Sequence, residues 1–347
     1  MYLIMNIQKH IISKDDSIYE AWPDVVLTKN GKLICIFSEC THHLERNNCR
    51  IMICESTDKG RSWSKKRPFT ETMNSDLYYN CARISKLSDD SLVIVCDKIA
   101  KDEFFGDMSV YIWKGDAEGE NWSKAIKTPA IGIVPDKIHE LKCGRWLLAA
   151  HKYNPVTQKL EQYLWYSEDK GETWSDRVVI AADERYNLCE VSILEMPDET
   201  LIAFMRENSN FGCDCLKAIS HDHGSTWEGV FNMPIPACHR PVAGFLKDGR
   251  VMITYRFIQG GNPEWGNLSQ NVFAGITDVS SAASTDRQKQ SVRIIPLDYD
   301  RNPRADIGYT GWVQFDNGEI YIVNYLVDDS PNGQIRGYSF NPSDITI

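Results

Sequence analysis

Short apolar runs recur along the chain, each directly after a tight polar turn. The runs are residues 33–36, 92–95, 146–149, 201–204, 251–254 and 320–323. The turns before them are Asn30-Gly31, Asp89-Asp90, Cys143-Gly144, Asp198-Glu199, Asp248-Gly249 and Asn317-Gly318. Asn-Gly and Asp-Gly between apolar stretches are hairpin signals, because both central residues of the favoured turn need positive φ. The runs are apolar without alternation, which predicts strands covered on both faces. Successive turns lie roughly 50–70 residues apart, room for four antiparallel strands, and no stretch carries the period of a long helix. Radial repetition of such sheets is a propeller. The pattern therefore predicts an all-β, six-bladed β-propeller over residues 1–347, one domain rather than the two that chain length alone suggests.

A second repeat follows the turns by about 30 residues. Ser56, Asp58, Gly60 and Trp63 fit S-x-D-x-G-x-x-W; so do Ser167, Asp169, Gly171 and Trp174, and Ser220, Asp222, Gly224 and Trp227. A degenerate copy spans residues 115–122 and keeps Gly119 and Trp122. Ser and Asp side chains can bond the turn backbone, Gly takes the left-handed position, and Trp pins the outer hairpin to the blade. This motif is the Asp-box, or BNR repeat, and through it the chain resembles the sialidase (neuraminidase) superfamily. The box itself is read as structural, since a fold does not set a function. Blades five and six lack it, and the polar segment 277–290 predicts an irregular outer edge for blade five.

Composition then narrows the ligand. With 38 basic and 48 acidic residues the formal charge is −10, which argues against nucleic-acid and anionic-membrane partners. No run of about 18 apolar residues is present, so no membrane-spanning helix is expected. Eleven cysteines, an odd number without paired knuckles, read as free thiols in a reducing compartment; with no secretory pattern at the start, a cytoplasmic location is expected. No cofactor is implied. Cys213 and Cys215 alone do not make a zinc site, and the grouping of Cys40, His42, His43 and Glu45 fits no metal-ligand spacing. An anionic ligand would need a local arginine cluster.

Propeller ligands sit on loops that join the inner strands near the axis. Those positions hold Glu20, His42, His43, Glu45, Arg83, Glu190, Arg206, Arg240, Arg256, Asp306 and Tyr309. Arginines among carboxylates, histidines and a tyrosine suit recognition of a carboxylated sugar, because guanidinium pairs with carboxylate through two parallel hydrogen bonds. The sialidase resemblance implies a retaining glycosidase with a tyrosine nucleophile, a glutamate that activates it, three arginines on the substrate carboxylate and an aspartate acid/base. Glu190 opens Glu190-Val191-Ser192-Ile193-Leu194-Glu195 and Arg206 follows it, matching the activating glutamate and one arginine. Tyr309, in Asp306-Ile307-Gly308-Tyr309-Thr310-Gly311, matches the nucleophile. Arg240 or Arg256 supplies a second arginine, with Glu20 and Arg83 as further substrate contacts. The match fails in two places. The family's Arg-Ile-Pro is Ala21-Trp22-Pro23 here, with Arg83-Ile84-Ser85 as a look-alike in blade two that either reaches the pocket or caps the hub. The acid/base loop holds no aspartate, leaving His43, His42 or Glu45. Three functions follow as expectations: an exo-glycosidase on a terminal anionic sugar, a lyase using Tyr309 and His43 in β-elimination at a uronate, or a sugar-binding propeller without chemistry.

Overall fold

The computed structural model of the chain describes residues 6–44, 46, 48–71, 77–100, 108–259, 269–342 and 345. Each of the six apolar runs lies in a buried second strand of an antiparallel sheet, as the lack of alternation predicts. Strand β1 (Gln8–Ser13) stands apart at the start. Blade one is β2 (Tyr19–Leu27), β3 (Leu33–Cys40), β4 (Arg50–Ser56) and β5 (Arg67–Pro68). In blade two, β6 (Leu77–Tyr79) and β7 (Arg83–Lys86) both pair with β8 (Leu92–Ala100), followed by β9 (Ser109–Gly115) and β10 (Ile126–Lys127). Blade three is β11 (His139–Glu140), β12 (Trp146–Asn154), β13 (Lys159–Ser167) and β14 (Val178–Ala181). Blade four is β15 (Leu188–Glu195), β16 (Leu201–Glu207), β17 (Cys215–Ser220) and β18 (Glu228–Met233). Blade five is β19 (Cys238–Phe245), β20 (Val251–Ile258), β21 (Gln270–Thr277) and β22 (Arg293–Tyr299). Blade six is β23 (Ile307–Gln314), β24 (Ile320–Leu326) and β25 (Gln334–Phe340), completed by β1, whose Gln8 pairs with Ser339. Together they form a six-bladed β-propeller of the sialidase type, closed by its own first strand.

The apolar core is a ring of wedges between blades. One buried cluster joins Leu147 and Leu164 of blade three to Leu201 and Met205 of blade four. Others join blades four and five, five and six, two and three, and one and two, while Phe37 and Tyr321 belong to the wedge between blades one and six. Because the wedges bury apolar area away from the axis, the axis itself is left to polar groups.

At the hub the inner strands are stitched by side chains that accept from the next blade's backbone. Ile84 N donates to Asp24 Oδ2 at 2.9 Å, Val134 N to Asp97 Oδ2 at 3.0 Å, Ile193 N to Asp136 Oδ2 at 2.8 Å and Ala243 N to Ser192 Oγ at 3.0 Å. The hydroxyls of Thr254 and Thr310 meet at 2.6 Å between blades five and six. Between blades six and one, Gly311 lies flat on Asp24. These bonds satisfy N–H groups that the irregular inner edges leave without a ladder partner.

The Asp-boxes work as their spacing predicts. In the first, Gly60 N donates to Ser56 Oγ at 2.9 Å, Ser62 N to Asp58 Oδ1 at 2.9 Å, and Trp63 Nε1 to the Gly60 carbonyl at 3.1 Å. The second and third repeat the two turn bonds around Asp169 and Asp222, and in the third Trp227 Nε1 again donates to the glycine carbonyl, of Gly224, at 3.1 Å. In the degenerate copy Asp116 accepts from the backbones of Glu120 and Asn121. Blade five carries an insertion in place of a box: a short helix α1 (Val279–Ala283), capped by Asp278, and a 3-10 turn at Arg287–Lys289.

Candidate active site

Four inner strands are interrupted by a bulge at the hub. The pairing register shifts between Ala21 and Asp24, Cys189 and Val191, His239 and Val242, and Gly308 and Gly311. Within each shift one non-glycine residue has positive φ: Trp22 (54°), Glu190 (33°), Arg240 (51°) and Tyr309 (60°). Left-handed backbone costs such residues about 1–3 kcal/mol each, and a bulge re-aims the side chain it carries. Strain of this kind, repeated at equivalent places, marks a constructed site.

The Tyr309 hydroxyl donates a short hydrogen bond to Glu190 Oε1. Arg206 Nη1 lies 3.0 Å from both oxygens of the same carboxylate. The Arg256 and Arg240 guanidiniums stand 5.1 and 5.8 Å from the centre of the Tyr309 ring. Arg240 also donates to the Pro135 carbonyl at 3.1 Å, which fixes it across the hub. Glu190 is oriented from behind, where its N–H donates to His151 Nδ1 at 3.3 Å. Burial holds that histidine neutral, down to about 4.

Electrostatics sets the protonation states. Burial alone would raise the Glu190 carboxyl, but Arg206, Arg256 and Arg240 outweigh it and, with the Tyr309 hydroxyl, hold it at about 2. Burial and the Glu190 charge push the Tyr309 phenol well above its ordinary 10.0. The resting pair is therefore a neutral phenol on an ionised carboxylate, with proton transfer to Glu190 strongly uphill.

A second cluster adjoins the first. His43 Nδ1 lies 2.6 Å from Asp306 Oδ2, and the same carboxylate accepts a short bond from Tyr19 and one of 2.8 Å from Tyr325. The Tyr325 ring is 6.2 Å from that of Tyr309. Burial opposes ionisation of Asp306, but His43, Tyr19 and Arg256 overcome it and keep the carboxyl well below the usual range. Arg256 thus acts on both clusters. A cavity of about 350 Å³, lined in part by Tyr19, His43, Arg304 and Asp306, opens beside this group.

Of the residues singled out in the sequence, Tyr309, Glu190, Arg206, Arg240 and Arg256 come together, with His43 in the adjoining group. Arg240 and Arg256 both face Tyr309, so no choice between them arises. His42 bonds Leu44 N instead and is exposed, and Glu45 lies outside the described residues. Two placements depart from expectation. Glu20 is buried against Lys66 (2.6 Å) and Ser13 (2.8 Å), where a cation and a hydroxyl satisfy it away from the cluster. Arg83 bonds the Pro23 and Thr310 carbonyls at 3.2 and 3.1 Å and lies 3.3 Å from Asp24; it bolts blades six, one and two together and caps the hub. Asp306 as the partner of His43 was not assigned from sequence; its place three residues before Tyr309 was the available signal.

This is a polar, arginine-rich hub in a sialidase-like propeller, able to hold an anion beside a phenol and its base. The chain belongs to the family described as BNR repeat-like domain, which matches residues 78–322, more than half its length. It is similar to a Dyadobacter fermentans protein of unknown function, with TM-score 0.78 and 22% identity over 97% of this chain and 100% of that one. It is also similar to the NanB sialidase of Streptococcus pneumoniae (TM-score 0.69, 11% identity, 99% of this chain and 71% of that one). The leech intramolecular trans-sialidase gives TM-score 0.69 and 14% identity over 95% of this chain and 69% of that one. No curated protein matches. Among the described residues no helix is long and apolar enough to cross a membrane.

Proposed function

We propose that this propeller is a glycoside hydrolase that removes a terminal, carboxylated sugar from a glycan, with residues 1–347 acting as one catalytic domain. The observation that carries the reading is the Tyr309 hydroxyl donating to Glu190 while Arg206 grips the same carboxylate. Arg206, Arg256 and Arg240 receive the substrate carboxylate. Its arrival draws their positive charge away from Glu190, which raises the affinity of Glu190 for a proton. Glu190 then takes the phenolic proton as the Tyr309 oxygen bonds the anomeric carbon. His43, with Nδ1 committed to Asp306, delivers a proton from Nε2 to the leaving oxygen as the glycosidic bond breaks. Water, deprotonated by His43, releases the sugar from Tyr309, and Glu190 returns the phenolic proton.

The bond from Tyr309 to Glu190, rather than to His43, favours this over elimination. A lyase would use the phenol as a base beside the carbon acid, with no call for a second base behind it. Eleven cysteines without a disulfide, nine of them buried, support a reducing, cytoplasmic setting. The test is Tyr309→Phe, assayed over sialosides, keto-acid sugars and uronic-acid oligosaccharides. Turnover should fall by orders of magnitude while the thermal transition is kept. A Phe variant as active as the wild type refutes the nucleophile; an unsaturated product absorbing in the near-ultraviolet would mean a lyase.

A further inference from the structure

The loop that presents His43 is closed at its base by two cysteines. Glu39 faces Arg50 in the ladder of β3 and β4, and the next step along it sets Cys40 opposite Cys49. Facing residues of antiparallel strands stand about 4.5–5.5 Å apart at Cα, inside the range of about 4.4–6.8 Å that a disulfide spans. The two thiols are close enough to share a hydrogen bond. Each also bonds outward, Cys40 Sγ to the His42 carbonyl at 3.3 Å and Cys49 Sγ to the Tyr79 carbonyl at 3.1 Å. His42 precedes His43, so the sulfur at the foot of the loop is tied to the residue beside the candidate proton donor.

The two sulfurs are not alike. The hydrogen bond from Cys49 and the Arg46 guanidinium bring the Cys40 thiol below its ordinary 9.0, against the effect of burial. Cys49, on the giving side of that bond and buried, is pushed well above 9.0. Other close cysteines lack this asymmetry. Cys35 faces Cys54 in the same ladder, and burial raises both, Cys54 to about 12. Cys238, beside Cys215, is raised by burial as well. The thiolate is the form of cysteine that attacks a peroxide, and a cation beside one sulfur with a second thiol in reach is what a reversible oxidation site needs.

We propose that Cys40 and Cys49 form an oxidation site for hydrogen peroxide, and that the disulfide between them resets the loop carrying His43. This stands on the geometry of the loop and does not depend on the hydrolase reading. The Cys40 thiolate attacks one peroxide oxygen; the O–O bond breaks, hydroxide leaves and takes up a proton, and Cys40 becomes a sulfenic acid. The Cys49 sulfur then attacks the Cys40 sulfur; the S–O bond breaks, and the departing hydroxide leaves as water with the Cys49 proton. Two thiols and one peroxide give one disulfide and two waters, with two electrons passing from sulfur to oxygen. A disulfide has no proton to donate, so the His42 and Tyr79 carbonyls lose their sulfur donors, and Arg46 loses the charge beside it. The sulfurs close from hydrogen-bond distance to about 2 Å, which draws the two ends of the loop together. A thiol reductant reverses the step by exchange.

The test is peroxide treatment of the full chain, alkylation of the remaining thiols, and tryptic mass spectrometry without reduction. Cleavage after Lys32, Arg46, Arg50 and Lys59 leaves Cys40 on 33–46, Cys49 on 47–50 and Cys54 on 51–59, so a Cys40–Cys49 link and a Cys35–Cys54 link give different products. The product joining 33–46 to 47–50 should form about tenfold or more faster than the exposed Cys143 is oxidised, and should be lost in Cys40→Ser. Cys49→Ser should instead hold Cys40 as a sulfenic acid, captured by a 1,3-dione label. Arg46→Met should slow the oxidation about threefold or more. Absence of the linked product, or oxidation of Cys143 before it forms, refutes the site; this result comes from the wild type and stands even if a serine variant fails to fold. An unchanged rate in Arg46→Met refutes the part given to the cation. In the same samples the His43 ring resonances, assigned through His43→Gln, should shift on oxidation and return with dithiothreitol. Resonances that stay in place once the disulfide has formed refute its effect on the loop.

Discussion

Glu190→Gln separates the electrostatic account of the hub from a merely steric one. Glu190 is fully buried, and its carboxyl is held at about 2 against an ordinary 4.5. The ionised form is therefore favoured in the fold by about 3 kcal/mol, taking 1.36 kcal/mol for each pK unit. The folded pKa is depressed, so this stability is present above the unfolded value and lost as pH falls through the folded one. Gln keeps the shape and cannot ionise. The variant should unfold about 3 kcal/mol more easily at pH 7, in line with breaking a buried ion pair. The difference should shrink to about 1.5 kcal/mol at pH 3 and nearly vanish at pH 2. Urea unfolding of both proteins across this range measures it directly, and carboxylates elsewhere cancel in the difference. Equal stabilities at pH 7, or a gap that does not change with pH, would refute the view that Glu190 is held ionised by the arginines. Turnover should be lost at every pH, because Gln cannot accept the Tyr309 proton.

Asp306→Asn should lower kcat about tenfold or more and alter the pH profile, since His43 loses the carboxylate that fixes Nδ1; an unchanged profile would leave Asp306 a purely structural partner of Tyr19 and Tyr325. Gly311→Ala should destabilise the protein by about 1–3 kcal/mol, because the new Cβ would come within 2.9 Å of the Asp24 Cα and strike its carboxylate at the seam of blades six and one. A wild-type melting temperature for that variant would contradict the close packing of this seam.

What the sequence reveals follows from which features are local. Hairpin turns, buried second strands and Asp-boxes are set by neighbouring residues, so blade number and blade limits could be read directly. The closing strand β1 could not: its pattern is mostly exposed, and only its pairing with β25, at the other end of the chain, makes it a strand. Helix α1 was hidden because five residues are too few to show a helical period. That Tyr309, Glu190 and Arg206 belong near one another was legible through a family resemblance, whereas their partners were not. His43 meets Asp306 across 263 positions of sequence. Glu20 and Arg83 misled because strand position was taken for direction. A one-residue change in register turns a side chain to the other face, and it is the bulges at Trp22, Glu190, Arg240 and Tyr309 that decide which side chains turn inward.

Those bulges also explain how an acidic chain can hold several buried arginines at its centre. Positive φ at four non-glycine residues costs on the order of 4–12 kcal/mol in total, comparable to the whole stability of many domains. Such backbone persists only if neighbouring structure leaves it no alternative. Here the wedges between blades and the stitches at Asp24, Asp97, Asp136 and Ser192 fix the inner strands on either side of each bulge. The same rigidity keeps Arg206, Arg240 and Arg256 beside one carboxylate although they repel one another. A flexible hub would let them separate or let solvent enter, and the field at the axis would be lost. The net charge of −10 is spread over the molecule, while the positive groups are fixed where an incoming anion would meet the phenol. Rigid placement of charge, rather than its total, sets the field at the axis of this fold.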